Sequence, residues 1–200
     1  MGMIRILCKK VMLIEEGLLK RYKSSVNEII SEYNNYTIKT YWKYNKKNLY
    51  NDYVIPKMIY ITDKNNNAII KSIERNEDIY LNIKLYITKN ISGLNIGYAL
   101  YSDNDDLIYY SSMIDKNECE WPILNNGNNH LITKIPMNFL NEGKYRIELR
   151  SVLHPIRWII PPNDGPSVFF EIRGGLSESQ LWQKKRPGIL APILDCNNIN

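Results

Sequence analysis

The sequence predicts a mainly β protein whose main part is an antiparallel β-sandwich, and three observations support this. Short segments between residues 58 and 172 alternate apolar and polar residues, as strands with one buried face do. Asn, Asp and Gly turns separate the segments. The alternation argues against a parallel sheet, whose strands would be apolar on both faces. About seven or eight such strands are typical of a two-sheet sandwich.

The first 35 residues differ from the rest because they show helical periodicity. A helix is expected around residues 3–7, a hairpin over residues 11–19, and a second helix from residue 24, capped by a serine. The apolar stripes of the two helices are Met3, Ile4 and Leu7, then Val26, Ile29, Ile30 and Tyr33. Such short elements cannot bury their apolar faces alone, so residues 1–35 are interpreted as the end of a larger domain.

Residues 36–56 form a polar segment rich in Tyr and Asn, which is interpreted as a linker. Within it, residues 37–42 fit an edge strand as well as they fit a linker.

The sandwich is expected over residues 57–173. Its predicted strands are Met58–Thr62, Ile79–Ile87, Leu94–Tyr101, Leu107–Ser111, His130–Ile135, Tyr145–Arg150 and Val168–Ile172. The side chains predicted to face inward include Ile79, Leu81, Ile83, Leu85, Ile87, Leu94, Ile96, Tyr98, Leu100, Tyr145, Ile147 and Leu149.

Residues 174–200 are predicted to form an extended arm, because Pro187 and Pro192 forbid a continuous helix. Its apolar side chains would dock on an apolar surface; they are Ile189, Leu190, Ile193 and Leu194.

Composition excludes several function classes. The net charge of +5 is spread along the chain, which argues against a nucleic-acid partner. The 3 Cys are far apart and odd in number, which argues against a disulfide framework or a zinc site and favours a reducing compartment. No phosphate-binding loop is present, no cofactor is indicated, and His130 and His154 have no metal-ligand neighbours.

Without a signal peptide or a membrane-length apolar run, the protein is expected to be soluble and cytoplasmic.

Two outward rows of polar and aromatic side chains form the candidate binding site. The row on the second predicted strand is Tyr80, Asn82, Lys84 and Tyr86, and that on the sixth is Arg146, Glu148 and Arg150. Trp121 and Trp158 are further stacking candidates. Aromatic faces stack on the C–H surfaces of sugars, while amides, carboxylates and guanidinium groups hydrogen-bond their hydroxyls. The alternative is a solvated strand face with no ligand.

Several phrases of the sequence resemble one protein family. The start carries Leu7-Cys8, Val11 and Gly17 at the spacing found at the end of an ABC-transporter ATPase domain. Later phrases are Ile135-Pro136 with Leu140, Gly143 and Tyr145, then Phe170-Glu-Ile172 and Arg186-Pro-Gly-Ile-Leu-Ala-Pro192. Together they are similar to the C-terminal part of the Wzt family, the ATPase subunits of O-antigen (polysaccharide) ABC exporters. The chain departs from the family at Asp195-Cys196, where a Trp is usual.

The resemblance implies that residues 57–173 form an immunoglobulin-like carbohydrate-binding domain, and that residues 1–35 are a remnant of the ATPase domain. It implies recognition of a lipid-linked polysaccharide before export, without catalysis by this chain. It also implies a homodimer formed through the C-terminal arm, and a membrane permease as partner, with the full-length protein peripheral to the inner membrane. Binding residues in the family vary with the glycan.

Two other functions stay open at this stage. One is an ancillary or protein-interaction sandwich, which an exposed apolar patch would favour. The other is a small glycan-modifying enzyme, for which Glu148 and Glu171 are the one carboxylate pair worth testing.

Overall fold

Two β-sheets pack face to face in this protein, whose structure is a computed structural model. It describes residues 7–15, 17–22, 25, 26, 29, 38–45, 51–69, 72–74, 77–136, 140–174, 181, 185–194 and 196. The strands in chain order are β1 (Leu13–Glu15), β2 (Leu18–Arg21), β3 (Tyr41–Lys43), β4 (Val54–Asp63), β5 (Ile73–Glu74), β6 (Ile79–Ile87), β7 (Leu94–Ser102), β8 (Leu107–Ser112), β9 (Gly127–Ile135), β10 (Gly143–Leu153), β11 (Arg157–Ile160) and β12 (Ser167–Arg173).

The four-stranded sheet has the order β3-β4-β6-β9, and all its pairings are antiparallel. The six-stranded sheet has the order β5-β12-β10-β7-β8, with β11 paired to one end of β10. Its pairings are antiparallel apart from the short parallel contact between β12 and β5. The predicted antiparallel β-sandwich is therefore confirmed.

The core lies between the two sheets and takes one face of each strand. From the four-stranded sheet it receives Ile59 and Ile61 of β4 and the alternate residues of β6 from Ile79 to Ile87. From the other sheet it receives alternate residues of β7, β10 and β12; these are Leu94, Ile96, Tyr98, Leu100, Tyr145, Ile147, Leu149, Val168, Phe170 and Ile172. The inward assignments made from period-two alternation are confirmed.

Each strand predicted within the sandwich is found, and β6 has the predicted bounds. The short strands β5 and β11 are not predicted, because two to four residues carry too little alternation to read. Strand β7 is buried on both faces, although its sequence predicts one exposed face.

The polar segment before the sandwich contains an edge strand. Tyr41, Trp42 and Lys43 form β3 and pair with β4, and the side chain of Trp42 packs against the core. Of the two readings left open for residues 37–42, an edge strand is observed at Tyr41 and Trp42, and residue 37 lies outside the described residues. The domain boundaries at residues 35, 56 and 173 remain predictions.

The predicted N-terminal hairpin is present as β1 and β2, with Ile14 opposite Leu19. Ile14, Leu18 and Leu19 are exposed. In the second predicted helix, the amide of Ile29 donates to the carbonyl of Ser25 at 3.1 Å, which is the helical pattern. Met3, Ile4, Ser24, Ile30 and Tyr33 lie outside the described residues.

The C-terminal arm lies against the segment before β10. Leu190 pairs with Leu140 through an isolated antiparallel bridge. The Nδ2 group of Asn141 donates to the carbonyls of Arg186 and Gly188, each at 2.7 Å. Ala191 is the buried apolar residue of this stretch; the four predicted docking side chains, Ile189, Leu190, Ile193 and Leu194, are exposed.

Candidate functional site

The outer face of the four-stranded sheet carries the first predicted row. Because Leu81, Ile83 and Leu85 enter the core, the side chains between them point outward. Lys84 and Tyr86 are exposed, Tyr80 is half-buried, and Asn82 is fully buried. The predicted row therefore exists, but its members differ sharply in access to a ligand.

Asn82 orients a neighbour and does not itself face solvent. Its Nδ2 group donates to the hydroxyl oxygen of Thr62 on β4 at 3.0 Å. Its Oδ1 atom is then left to accept, and Nε2 of His130 on β9 lies 2.9 Å away. This arrangement makes Nε2 the protonated nitrogen of a neutral His130. The contact gives the Nε2 group of His130 a hydrogen-bond partner within the sheet.

Tyrosine rings and lysine ammonium groups alternate over this face. The Nζ atom of Lys57 lies 5.3 Å from the ring centre of Tyr44 and 5.5 Å from that of Tyr86. The Nζ atom of Lys84 lies 5.4 Å from the ring centre of Tyr60. These distances are in the cation–π range.

The ring of Tyr60 also stacks on the ring of His130, with centroids 6.3 Å apart and planes 29° from parallel. We call this surface the tyrosine–lysine face; its members are Tyr44, Lys57, Tyr60, Asn82, Lys84, Tyr86 and His130.

Burial and a neighbouring lysine both change the pKa of His130 on this face. Desolvation lowers the pKa of His130, and the positive charge of Lys84, its partner in the strand pairing, lowers it further. Both effects favour the neutral form of His130.

The second predicted row lies on the outer face of the six-stranded sheet but is buried, which corrects the expectation of an accessible polar row. Glu148 is fully buried, and Arg150 is only 7% exposed. The segment 161–166 covers Glu148: the amide of Asn163 donates to Oε1 of Glu148 at 2.8 Å, and the amide of Leu149 donates to the carbonyl of Pro166 at 3.0 Å. Arg150 packs against the rings of Tyr101 and Tyr110.

The charges of this row are satisfied internally. Nη1 of Arg146 lies 2.5 Å from Oε2 of Glu148, and Nη2 of the same arginine lies 3.1 Å from Oδ1 of Asp105. Arg146 also stacks 4.0 Å above the ring of Tyr101, whose hydroxyl accepts a hydrogen bond from Arg150. Desolvation acts to lower the pKa of Arg146, but the contacts with Glu148 and Asp105 outweigh it and raise the pKa. The row is a buried ionic network that anchors a loop.

The carboxylate pair of the enzyme hypothesis is widely separated. Glu148 lies opposite Ser167 on β12, whereas Glu171 lies on β12 opposite Lys144. Positions four residues apart along a strand are separated by about 13 Å. This exceeds the spacing of about 5–10 Å used by glycosidases. Glu148 is also held by Arg146, and Glu171 by Arg173 at 2.9 Å.

The two predicted tryptophans lie apart from the tyrosine–lysine face. Trp121 follows a 3₁₀ turn at Glu118–Glu120, and its Nε1 group donates to the carbonyl of Lys116 at 2.6 Å. Trp158 lies on β11, is 46% exposed, and pairs with Val152 of the six-stranded sheet. In the described part of the chain, no hydrogen bond or ring contact joins either tryptophan to the face.

A cleft of about 530 Å³ opens at the edge of the sandwich, between β8 and β9. Its floor includes Tyr98 and Leu131, and its rim carries Asp115, Lys116 and Lys134. Each rim charge already has a partner: Asp115 accepts from Ser111 and Ser112, Lys116 pairs with Glu120, and Lys134 pairs with Asp78. The cleft has the volume of a small-ligand site but few polar groups left for a ligand.

Sequence reasoning missed Tyr44, Lys57, Tyr60 and the role of His130. The alternation within Met58–Thr62 indicates that Tyr60 shares a face with Met58 and Thr62. Only the pairing register, which sets Tyr60 opposite Asn82 and His130 opposite Lys84, brings the strands' side chains together.

Among the described residues, no group of three or more His, Cys, Asp or Glu side chains has a metal-binding arrangement. Within the same residues, no helix combines the length and the apolar character needed to cross a membrane.

Comparison with known proteins identifies the fold. No protein-family model matches the chain, and no curated protein matches it in sequence. Among solved structures, it is similar to the crystal structure of the C-terminal domain of Wzt, with a TM-score of 0.54. The match covers 82% of this chain and 90% of that chain at 10% sequence identity. At this identity the likeness establishes a shared β-sandwich fold.

Proposed function

We propose that this chain is a non-catalytic carbohydrate-binding module that recognises a lipid-linked polysaccharide, of the O-antigen type, for export by an ABC transporter. The tyrosine–lysine face is the observation that carries the proposal. The shared fold with the C-terminal domain of Wzt and the family phrases of the sequence support it.

The chemistry of the face suits a glycan. The rings of Tyr44, Tyr60 and Tyr86 provide flat apolar surfaces for the C–H faces of sugars. The ammonium groups of Lys57 and Lys84 provide hydrogen-bond donors beside those rings. A broad face also fits a polymer, whose successive residues can each contact a different ring.

The remaining parts of the proposal rest on the family resemblance. The module would select the glycan, while the ATPase domain and a membrane permease would carry out transport at the cytoplasmic side of the inner membrane. Ile189, Leu190, Ile193 and Leu194 of the arm are exposed, and we propose that they pack against a second copy in a homodimer. Light scattering of the purified chain tests the dimer.

Isothermal titration with delipidated polysaccharide from the source organism tests the proposed function. We expect saturable binding without chemical change of the glycan. Tyr86→Ala should weaken binding about tenfold, as loss of a central aromatic contact does. Tyr22→Ala is the matched control, because Tyr22 is exposed, follows β2 of the N-terminal hairpin and is not a member of the face.

The absence of binding to any glycan of the source organism would overturn the proposal. Binding that is lost in Trp158→Ala but kept in Tyr86→Ala would instead place the site on the six-stranded sheet and refute the tyrosine–lysine face.

A further inference from the structure

The outer face of the four-stranded sheet has an excess of positive charge. Lys43 on β3 points to the same side as the tyrosine–lysine face, because Trp42 beside it packs toward the core. Lys43, Lys57 and Lys84 take part in no salt bridge among the residues that the structure describes. Three ammonium groups on one face therefore have no carboxylate partner within this part of the chain.

Two described carboxylates lie at one end of this face and are already bound. Asp63, the last residue of β4, accepts hydrogen bonds from the amides of Asn65 and Asn67, each at 2.8 Å. Asp78, just before β6, lies 2.8 Å from Nζ of Lys134. Neither carboxylate neutralises the three lysines.

Two of the three lysines are oriented as well as unpaired. The ammonium group of Lys57 lies between the rings of Tyr44 and Tyr86, and that of Lys84 lies over Tyr60. Contact with a ring restricts a flexible side chain but leaves its charge and its three donors available. A ligand would meet ammonium groups already positioned beside stacking surfaces.

A neutral polysaccharide does not require these positive charges, because its hydroxyl groups can hydrogen-bond equally well to amide, carboxylate or ammonium groups. A negatively charged sugar pairs with it directly through charge-assisted hydrogen bonds. We infer, on the basis of the proposed function, that the tyrosine–lysine face selects an acidic glycan, whose carboxylate or phosphate groups bind Lys57 and Lys84 while its sugar rings stack on Tyr60 and Tyr86.

Paired probes test the inference. An oligogalacturonide is compared with its carboxyl-reduced, neutral form, and a phosphomannan with its dephosphorylated form, by titration at low and high salt. We expect at least one charged probe to bind about tenfold more tightly than its neutral partner. The preference should shrink as salt rises, because exposed charges are screened. The pair that shows the preference identifies the acidic group as carboxylate or phosphate.

Two double variants with equal loss of charge complete the test. Lys57→Gln with Lys84→Gln should abolish the preference for the charged probe, while Lys64→Gln with Lys185→Gln should keep it. Lys64 and Lys185 are exposed and lie in a turn and in the arm, so they control for the change in net charge. Melting temperatures of the variants check that the fold is intact.

Equal binding of charged and neutral probes, with no difference between the two double variants, would overturn the acidic-glycan inference and leave the proposed function standing. Failure to bind any of the probes and any polysaccharide of the source organism would overturn both.

Discussion

The Nε2 atom of His130 lies 2.9 Å from the Oδ1 atom of the fully buried Asn82, and this contact joins β9 to β6 across the outer face of the four-stranded sheet. The amide presents its oxygen to the imidazole because its Nδ2 group donates to the hydroxyl of Thr62 and to the carbonyl of Tyr80, which can only accept. The imidazole is therefore held in one tautomer beside the ammonium group of Lys84.

Stability should depend on pH through His130. Its pKa is lowered in the folded protein, first by desolvation and then by Lys84, from an ordinary value of 6.5. Below pH 6.5 the unfolded chain then binds more protons than the folded chain, so unfolding becomes easier. The contribution of His130 to the free energy of unfolding is complete above pH 6.5. It falls as the pH drops through that value, and it levels off below the pKa of His130 in the folded protein.

Urea denaturation of the protein and of His130→Gln, at pH 7.5 and at pH 5.5, measures this effect (about one unit either side of the ordinary histidine pKa). The variant should lose less free energy of unfolding between the two pH values. Asn128→Ala, an exposed change on the same strand, should keep the wild-type difference. An unchanged difference in His130→Gln would show that this histidine does not cause the pH dependence.

Glu148→Ala should be among the most damaging single substitutions in the sandwich. It leaves Arg146 and Arg150 beside each other without the carboxylate, and it removes the acceptor for the amide of Asn163. Breaking a buried ion pair in this way costs about 3–5 kcal/mol. Equilibrium denaturation measures the loss, and Glu171→Ala, which removes a partly exposed pair with Arg173, should cost less than about 1 kcal/mol. Equal costs for the two variants would contradict the network as described.

Gly165 is required by the close approach of the 161–166 segment to β10. A Cβ atom at this position would meet the carbonyl oxygen of Leu149, so the backbone itself must move. We expect Gly165→Ala to lower the free energy of unfolding by about 2–3 kcal/mol, the cost of overpacking. Gly127→Ala is the control: its φ of +97° strains an alanine, but no atom lies within 4 Å, so the cost should be about 1 kcal/mol. A smaller loss in Gly165→Ala than in Gly127→Ala would refute the close contact.

Asn141→Ala should release the C-terminal arm. The side chain donates to the carbonyls of Arg186 and Gly188, 45 and 47 residues away in sequence. Without these bonds, trypsin should cut after Lys185 about tenfold faster. Asn129→Ala is a matched control, because Asn129 makes the same two kinds of bond, to Asn125 and Gly127, within its own loop. The same cleavage rate in both variants would show that Asn141 does not hold the arm.

Much of the fold could be predicted because alternation is a local property. The apolar residues of β6 recur at every second position, so its bounds and its buried face follow from the sequence. The strands β5 and β11 could not be predicted in this way, because each is held by pairing with a long neighbour and not by its own pattern.

The candidate site could be predicted only in part, because alternation along one strand does not show how other strands pack beside it. Alternation shows that Tyr80, Asn82, Lys84 and Tyr86 share one face, but it does not show which of them a neighbouring strand covers. Tyr60 and His130 join the face through pairing register, which depends on residues far away in the chain.

The sequence by itself determined the class of fold and the side of each long strand that faces the core, because the hydrophobic effect acts on apolar residues wherever they recur with period two. The tertiary structure decided which outward side chains stay accessible. The two outward rows have similar chemistry but differ in access to solvent: Glu148 is buried because the segment 161–166 folds over it, and Arg150 because it packs against Tyr101 and Tyr110, while Lys84 and Tyr86 stay exposed. Whether a polar row is covered depends on contacts between distant segments, and only the folded chain brings these together.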